Sequence, residues 1–283
     1  MLVITEEQLN PPENVQRRIA WSGGVTVPPI FPEAERIELK SPPLELVVCQ
    51  LRFPTVLALA ANQPPEEFQR RIRNTYPVSR RQSGMTLEVG GRGPQLSASS
   101  IWLFEDKESQ WTVSLGSDFL SLETKRYRRF DDFIKHFLGV VQAARDLYPI
   151  ELRERLGLRY VDRISREKEP KLPEDWPSRV RQELIGLRQF RGAGEPQMSN
   201  LEVRFAFGDR ILTVRSLFVD RGFPGVPADE LVLDFDCYVE RRDSLEGLAD
   251  LLHEFRRLAY NAFSWALGEV LGYFECAGEE GTS

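Results

Sequence analysis

The sequence has few histidines and cysteines, and each shortage excludes a class of site. Both histidines, His136 and His253, fall on predicted helices beside apolar positions, which favours a structural role over a Ser-His-Asp or Cys-His centre. The three cysteines, Cys49, Cys237 and Cys276, are too few for a disulfide framework and lack the spacing of a metal site. Nucleophilic catalysis and cysteine-metal chemistry are therefore disfavoured.

Long apolar runs and targeting signals are also missing. No stretch approaches the roughly 18 consecutive apolar residues that a membrane-spanning helix needs. The first twelve residues carry Glu6 and Glu7 and no basic stretch before an apolar run, so we expect no secretory signal and a cytoplasmic location. The run Gly90-Gly91-Arg92-Gly93 does not match a phosphate loop, and we expect no cofactor.

The composition is that of a globular protein with a real core. The chain has 283 residues, of which 41% are hydrophobic and 28% charged. The net charge of −6 argues against a general affinity for nucleic acid, although a local basic patch can override it.

Proline and glycine divide the chain into three parts. Residues 1–43 form a proline-rich N-terminal arm, which we expect to pack in part through Trp21, Ile30 and Phe31. Residues 44–276 form a single domain, because no flexible linker separates two self-sufficient cores. Residues 277–283 form a flexible tail.

Hydrophobic periodicity predicts strands and helices in the order β-α-β-β-β-α-β-β-β-β-α. The strands are Leu44 to Phe53, Leu96 to Glu105, Gln110 to Leu115, Phe119 to Arg126, Leu152 to Ile164, Leu201 to Phe207, Ile211 to Val219 and Leu231 to Glu240. The helices are Pro65 to Tyr76, Phe130 to Leu147 and a long one beginning at Asp243 with Glu246 in a capping box; a further short helix is expected within 177–187.

Short links between consecutive strands indicate an antiparallel sheet. We therefore expect an α+β fold with one large antiparallel sheet covered by amphipathic helices. Strands followed by a helix in each half also indicate an internal duplication.

Four arginines alternate along the strand Leu152 to Ile164. Period two places Arg153, Arg155, Arg159 and Arg163 on one face, with same-face side chains about 6.6 Å apart. This ladder could bind a phosphate chain. Alternatively, carboxylates on neighbouring strands could neutralise it, and Asp234, Asp236 and Glu202 are the candidates. We favour the second interpretation, and keep Arg155, Arg159 and Arg163 as candidate binding residues.

Asp234 and Asp236 are also weak candidates for a metal site. At i and i+2 on a strand they share a face and could hold Mg²⁺. Asp162 could add a third carboxylate if the strands adjoin, but it points away from the arginine face, and no lysine accompanies the pair. We therefore expect no metal.

Two cationic runs lie elsewhere in the chain. Arg70, Arg71 and Arg73 lie on the first helix, and Lys125, Arg126, Arg128 and Arg129 precede the second. Each is interpreted as a solvated face. Residues 229–254 are acidic, and this separation of charge favours a polar partner.

One segment supports a resemblance. Arg155 to Ile164 reads R-L-G-L-R-Y-V-D-R-I and resembles a sporadically distributed family of uncharacterised prokaryotic proteins, in which the usual sequence is R-I/L-G-L-R-Y-I-N-R-I. The resemblance covers about residues 42–275 and departs at Asp162, where Asn is usual. It implies one intact domain and transfers no activity, while the patchy distribution is typical of mobile or defence-associated genes.

The sequence thus favours a non-catalytic cytoplasmic binding or adaptor protein of a mobile or defence-type locus, with another protein as its partner. The alternatives are a nucleic-acid-binding protein that uses the arginine strand and, with less support, a metal-dependent phosphoryl-transfer enzyme that uses Asp234 and Asp236. We expect no membrane partner, and the oligomeric state stays open.

Overall fold

The computed structural model describes residues 30–276 except 38, 61–62, 91–92, 166, 169–171, 174, 187–197 and 220–229. Nine strands form one antiparallel sheet: β1 (Leu44–Arg52), β2 (Val78–Gly90), β3 (Gly93–Glu105), β4 (Trp111–Leu115), β5 (Phe119–Thr124), β6 (Leu152–Ser165), β7 (Met198–Phe207), β8 (Arg210–Val219) and β9 (Glu230–Ser244). Their order across the sheet is β2-β3-β4-β5-β1-β6-β9-β8-β7.

The helices are few. They are α1 (Leu57–Ala60), α2 (Glu66–Ile72), α3 (Phe130–Arg145), α4 (Gln182–Ile185), α5 (Leu248–Leu267) and α6 (Leu271–Cys276), with short 3₁₀ turns at Trp176–Ser178 and Gly268–Val270. The predicted α+β class with a large antiparallel sheet is therefore confirmed. Among the described helices, none is long and apolar enough to cross a membrane.

The structure corrects the element order in three places. Strand β2 was not predicted, so the sheet has nine strands where eight were expected. The short helix expected within 177–187 is a 3₁₀ turn followed by α4. The capping box at Asp243 and Glu246 is wrong, because β9 continues to Ser244 and α5 begins after Gly247, whose φ of 67° suits glycine.

Alternation along the strands gives the sheet two different faces. On β1 the side chains of Val47, Cys49 and Leu51 are buried, and Leu156 and Leu158 continue the same face on β6. Helices α3 and α5 cover this face with apolar stripes, and the Phe235 and Phe263 rings meet edge to face between β9 and α5. The opposite face carries most of the charged side chains of β6, β8 and β9.

The end of the N-terminal arm packs on the body. The Phe31 ring is buried against Phe205 and Trp265, at centroid distances of 5.0 and 5.3 Å. The backbone amide of Lys40 donates to the carbonyl of Phe274 at 3.0 Å. The expected packing of Phe31 is confirmed, whereas Ile30 is exposed, and Trp21 lies outside the described residues.

The two halves of the sheet share a connection pattern. In each half the first strand lies beside the last strand of the meander that follows it, and a long helix comes next: β1, β5 and α3, then β6, β9 and α5. Strands β1 and β6 join the halves at the centre through antiparallel pairing. The internal duplication and the single domain over 44–276 stay predictions.

Candidate functional site

Arg155 lies flat on the sheet instead of extending into solvent. Its guanidinium carbon is 4.5 Å from the centroid of the Tyr238 ring, and Nη2 is 3.1 Å from a carboxylate oxygen of Asp236. Gly157 makes room for it, because a Cβ at that position would lie 2.6 Å from Nη1 of Arg155. Burial raises the pKa of Asp236, while the Arg155 charge lowers it.

Arg159 and Asp234 form the centre of a chain of charges. Nε and Nη2 of Arg159 each lie 2.8 Å from a different oxygen of Asp234, which is a bidentate pair. Nη1 of Arg215 reaches the same carboxylate at 3.1 Å, and its Nε reaches Glu202 at 2.8 Å. Only 6% of the Asp234 side chain is exposed, against 46% for Arg159.

The arginines at the two ends of β6 differ in their partners. Arg163 pairs with Glu45 of β1 and Glu230 of β9. A register shift between Arg153 and Arg155 interrupts the ladder, so Arg153 is buried and pairs with Asp243 at 3.0 Å. The prediction that all four arginines form one ladder is therefore wrong for Arg153.

The remaining three arginines, Arg155, Arg159 and Arg163, are called the arginine face below. Each has a carboxylate partner within 3.1 Å, so the expected neutralisation is confirmed for Asp234 and Asp236. It is wrong for Glu202, which pairs with Arg215 and Arg204, while Glu45 and Glu230 neutralise Arg163. Asp234 and Asp236 do share a face, but guanidinium groups occupy both carboxylates. The described residues contain no group of three side chains that could hold a metal ion.

Asp162 lies on the other face of β6, under the helices, as its position in the sequence predicts. It is 3% exposed. Burial raises its pKa to about 8, and the charge of Asp234 acts in the same direction. At neutral pH this carboxyl is therefore protonated and uncharged.

The structure places cations from both cationic runs around one cleft. This basic cleft lies between α2 and α3 and has a volume of about 700 Å³. One member of the first run, three members of the second and one cation of α3 line it, together with a single carboxylate, Asp132: the cations are Arg71, Arg126, Arg128, Arg129 and Lys135. The remaining members of both runs lie outside the cleft, and their interpretation as solvated faces stays a prediction.

Three aromatic rings form the wall of the basic cleft. The imidazole of His136 stacks on Trp111, with the centroids 4.6 Å apart. Its Nδ1 lies 2.8 Å from the hydroxyl of Tyr76. Burial lowers the pKa of His136, partly offset by Asp132, and burial raises the pKa of Tyr76. The Tyr76 hydroxyl and Nδ1 of His136 share this hydrogen bond, and its donor depends on the tautomer of the imidazole.

The cations of the basic cleft differ in their partners. Arg71 pairs with Asp146 at 2.7 Å, and Arg126 pairs with Glu108 at 2.5 Å. Arg128, Arg129 and Lys135 are exposed and make no ion pair with any described residue. These three cations are the groups that an incoming anion can meet without first displacing a carboxylate.

Sequence reasoning missed the cleft because its parts are far apart in the chain. Arg71 and Arg126 belong to separate cationic runs, and only the packing of α2 against α3 brings them together. The available signal was the position of His136 on the helix that the second cationic run introduces. No protein-family model and no curated protein matches the chain.

Proposed function

We propose that this chain is a non-catalytic binding protein that takes an anionic partner into the basic cleft. The observation that carries the proposal is a cavity lined by five cations, three of which, Arg128, Arg129 and Lys135, lack carboxylate partners among the described residues. Cations that stay close together without neutralisation repel one another, so the arrangement costs folding free energy that an anionic partner recovers.

The contacts of the histidines and cysteines support the non-catalytic part of the proposal. His136 bonds to Tyr76, and His253 packs edge-on against Phe130 at 4.9 Å. Cys49 and Cys237 are fully buried, and burial raises the pKa of both thiols, which opposes formation of a thiolate nucleophile. A cytoplasmic adaptor from a mobile or defence-type locus, working with a protein partner, is the setting we propose.

The arginine face supports the two alternatives less well. Nucleic acid on Arg155, Arg159 and Arg163 would have to compete with carboxylates already in place. Magnesium at Asp234 and Asp236 would have to displace the guanidinium groups that bind them. We propose instead that this network stabilises the sheet.

Binding of two simple anions tests the proposal. Tripolyphosphate and an octaglutamate peptide are titrated by calorimetry at 50 and 200 mM salt. The variant Arg128→Gln/Arg129→Gln/Lys135→Gln, called the cleft triple variant, is compared with Arg145→Gln/Lys168→Gln/Arg257→Gln, which removes three exposed cations outside the cleft. We expect at least one anion to bind, with affinity lost in the cleft triple variant and kept in the control. Binding of neither anion, or equal loss in both variants, would contradict the proposal.

A further inference from the structure

The dimensions of the basic cleft limit what can occupy it. Its volume of about 700 Å³ lies within the range of roughly 300–1,000 Å³ that is usual for small-molecule sites. Five cations line this one cavity. The cleft therefore suits a compact ligand better than a long chain.

Ion pairs and net charge bear on the same question. Asp146 pairs with Arg71 and Glu108 pairs with Arg126, so two of the five cations of the cleft are already neutralised. The other three, Arg128, Arg129 and Lys135, can together neutralise about two or three linked phosphates. The net charge of −6 on the whole chain opposes a general affinity for long polyanions.

The aromatic wall of the cleft adds a second feature that a ligand has to match. Trp111 and His136 stack on each other, are both half-buried, and both line the cavity. The hydrogen bond between the Tyr76 hydroxyl and Nδ1 fixes the orientation of the imidazole. A planar ring packed on such a surface gains contact area and stacking energy.

We propose that the basic cleft binds a mononucleotide, with its phosphates at Arg128, Arg129 and Lys135 and its base against the Trp111–His136 wall. This inference rests on the proposed function and names its ligand class. The three cations bind the phosphates. The wall binds the base, which a bare phosphate chain lacks, so the cleft should favour a nucleotide over tripolyphosphate.

Three probes are compared at equal salt and without added metal: ATP, tripolyphosphate and the oligonucleotide dT12. Together they separate binding of the phosphates from binding of the base and from binding of a longer chain. We expect ATP to bind at least tenfold more tightly than tripolyphosphate and at least as tightly as dT12. His136→Ala should reduce the advantage of ATP over tripolyphosphate to less than threefold. Trp111→Leu is the second variant and should act in the same way, with folding checked by melting temperature.

The outcomes distinguish this inference from the proposed function. If ATP and tripolyphosphate bind equally, or if His136→Ala and Trp111→Leu leave the ATP advantage unchanged, the assignment of the base is overturned while anion binding stands. If dT12 binds more than tenfold more tightly than ATP, or if octaglutamate alone binds, the mononucleotide assignment is overturned. If no anion binds the wild-type protein, both proposals fail.

Discussion

Replacing the buried Asp162 by asparagine should stabilise the fold at neutral pH. The native carboxyl has a pKa of about 8, whereas an unfolded chain ionises it near 3.9. At pH 7 the unfolded state has therefore released a proton that the folded state must keep. Each pKa unit costs about 1.4 kcal/mol, so the penalty at pH 7 is about 4 kcal/mol. An asparagine side chain at this position would carry no such penalty, because it does not ionise in either state.

The sign of the pH dependence follows from the raised pKa. In the wild-type protein this group lowers stability progressively as the pH rises from about 4 to about 8, and the loss then levels off. Asp162→Asn should remove this slope, so the variant and the wild-type protein should have similar stability near pH 4 and diverge above it. A gain of about 4 kcal/mol corresponds to a rise in melting temperature of roughly 10 °C at pH 7.

Urea unfolding at pH 4.5, 7 and 8.5, followed by tryptophan fluorescence, measures this effect. The exposed Asp131 supplies a matched control, because Asp131→Asn should change stability by less than about 1 kcal/mol through the dipole of α3. Equal or lower stability of Asp162→Asn at pH 7, with the wild-type pH slope retained, would refute the reasoning.

Three further substitutions test the packing and the charge network, each through the free energy of unfolding. Gly157→Ala should change stability by less than about 1 kcal/mol, because a Cβ there meets only the mobile end of the Arg155 side chain; a loss above about 2 kcal/mol would show that this guanidinium cannot shift. Arg159→Ala should cost about 1–3 kcal/mol because the buried Asp234 keeps only one of its two arginine partners; a neutral result would mean that the pair contributes nothing. Phe137→Ala should cost about 3–5 kcal/mol, since the ring is fully buried, and a wild-type melting temperature would contradict its place in the core.

The sheet was predictable where one face of a strand is buried. Leu156, Leu158 and Ile164 alternate with Arg155, Arg159 and Arg163 on β6, and this alternation predicts both the strand and its charged face. Strand β2 gives no such signal at its start, because it lies at the edge of the sheet and Arg80 and Arg81 are both exposed. Edge strands tolerate polar residues on both faces, so periodicity cannot identify them.

Some features depend on tertiary contacts and could not be predicted from local sequence patterns. Asp243 looks like a helix cap in isolation, but it pairs with Arg153 and Arg241, and the strand continues past it. The basic cleft depends on the packing of α2 against α3, which joins cations distant in the chain. Charge pairing across β6 and β9 was predictable because opposite charges on adjacent strands share a face.

The central claim is that anions bind in the basic cleft, and the indole resonances of the five tryptophans test it most directly. Tripolyphosphate is titrated into ¹⁵N-labelled protein, with the Trp111 resonance assigned by substitution. We expect a saturable shift of the Trp111 resonance that is abolished in the cleft triple variant, while the resonance of the buried Trp176 stays unchanged. An unshifted Trp111 resonance, or the same shift in the cleft triple variant, would contradict anion binding in the basic cleft.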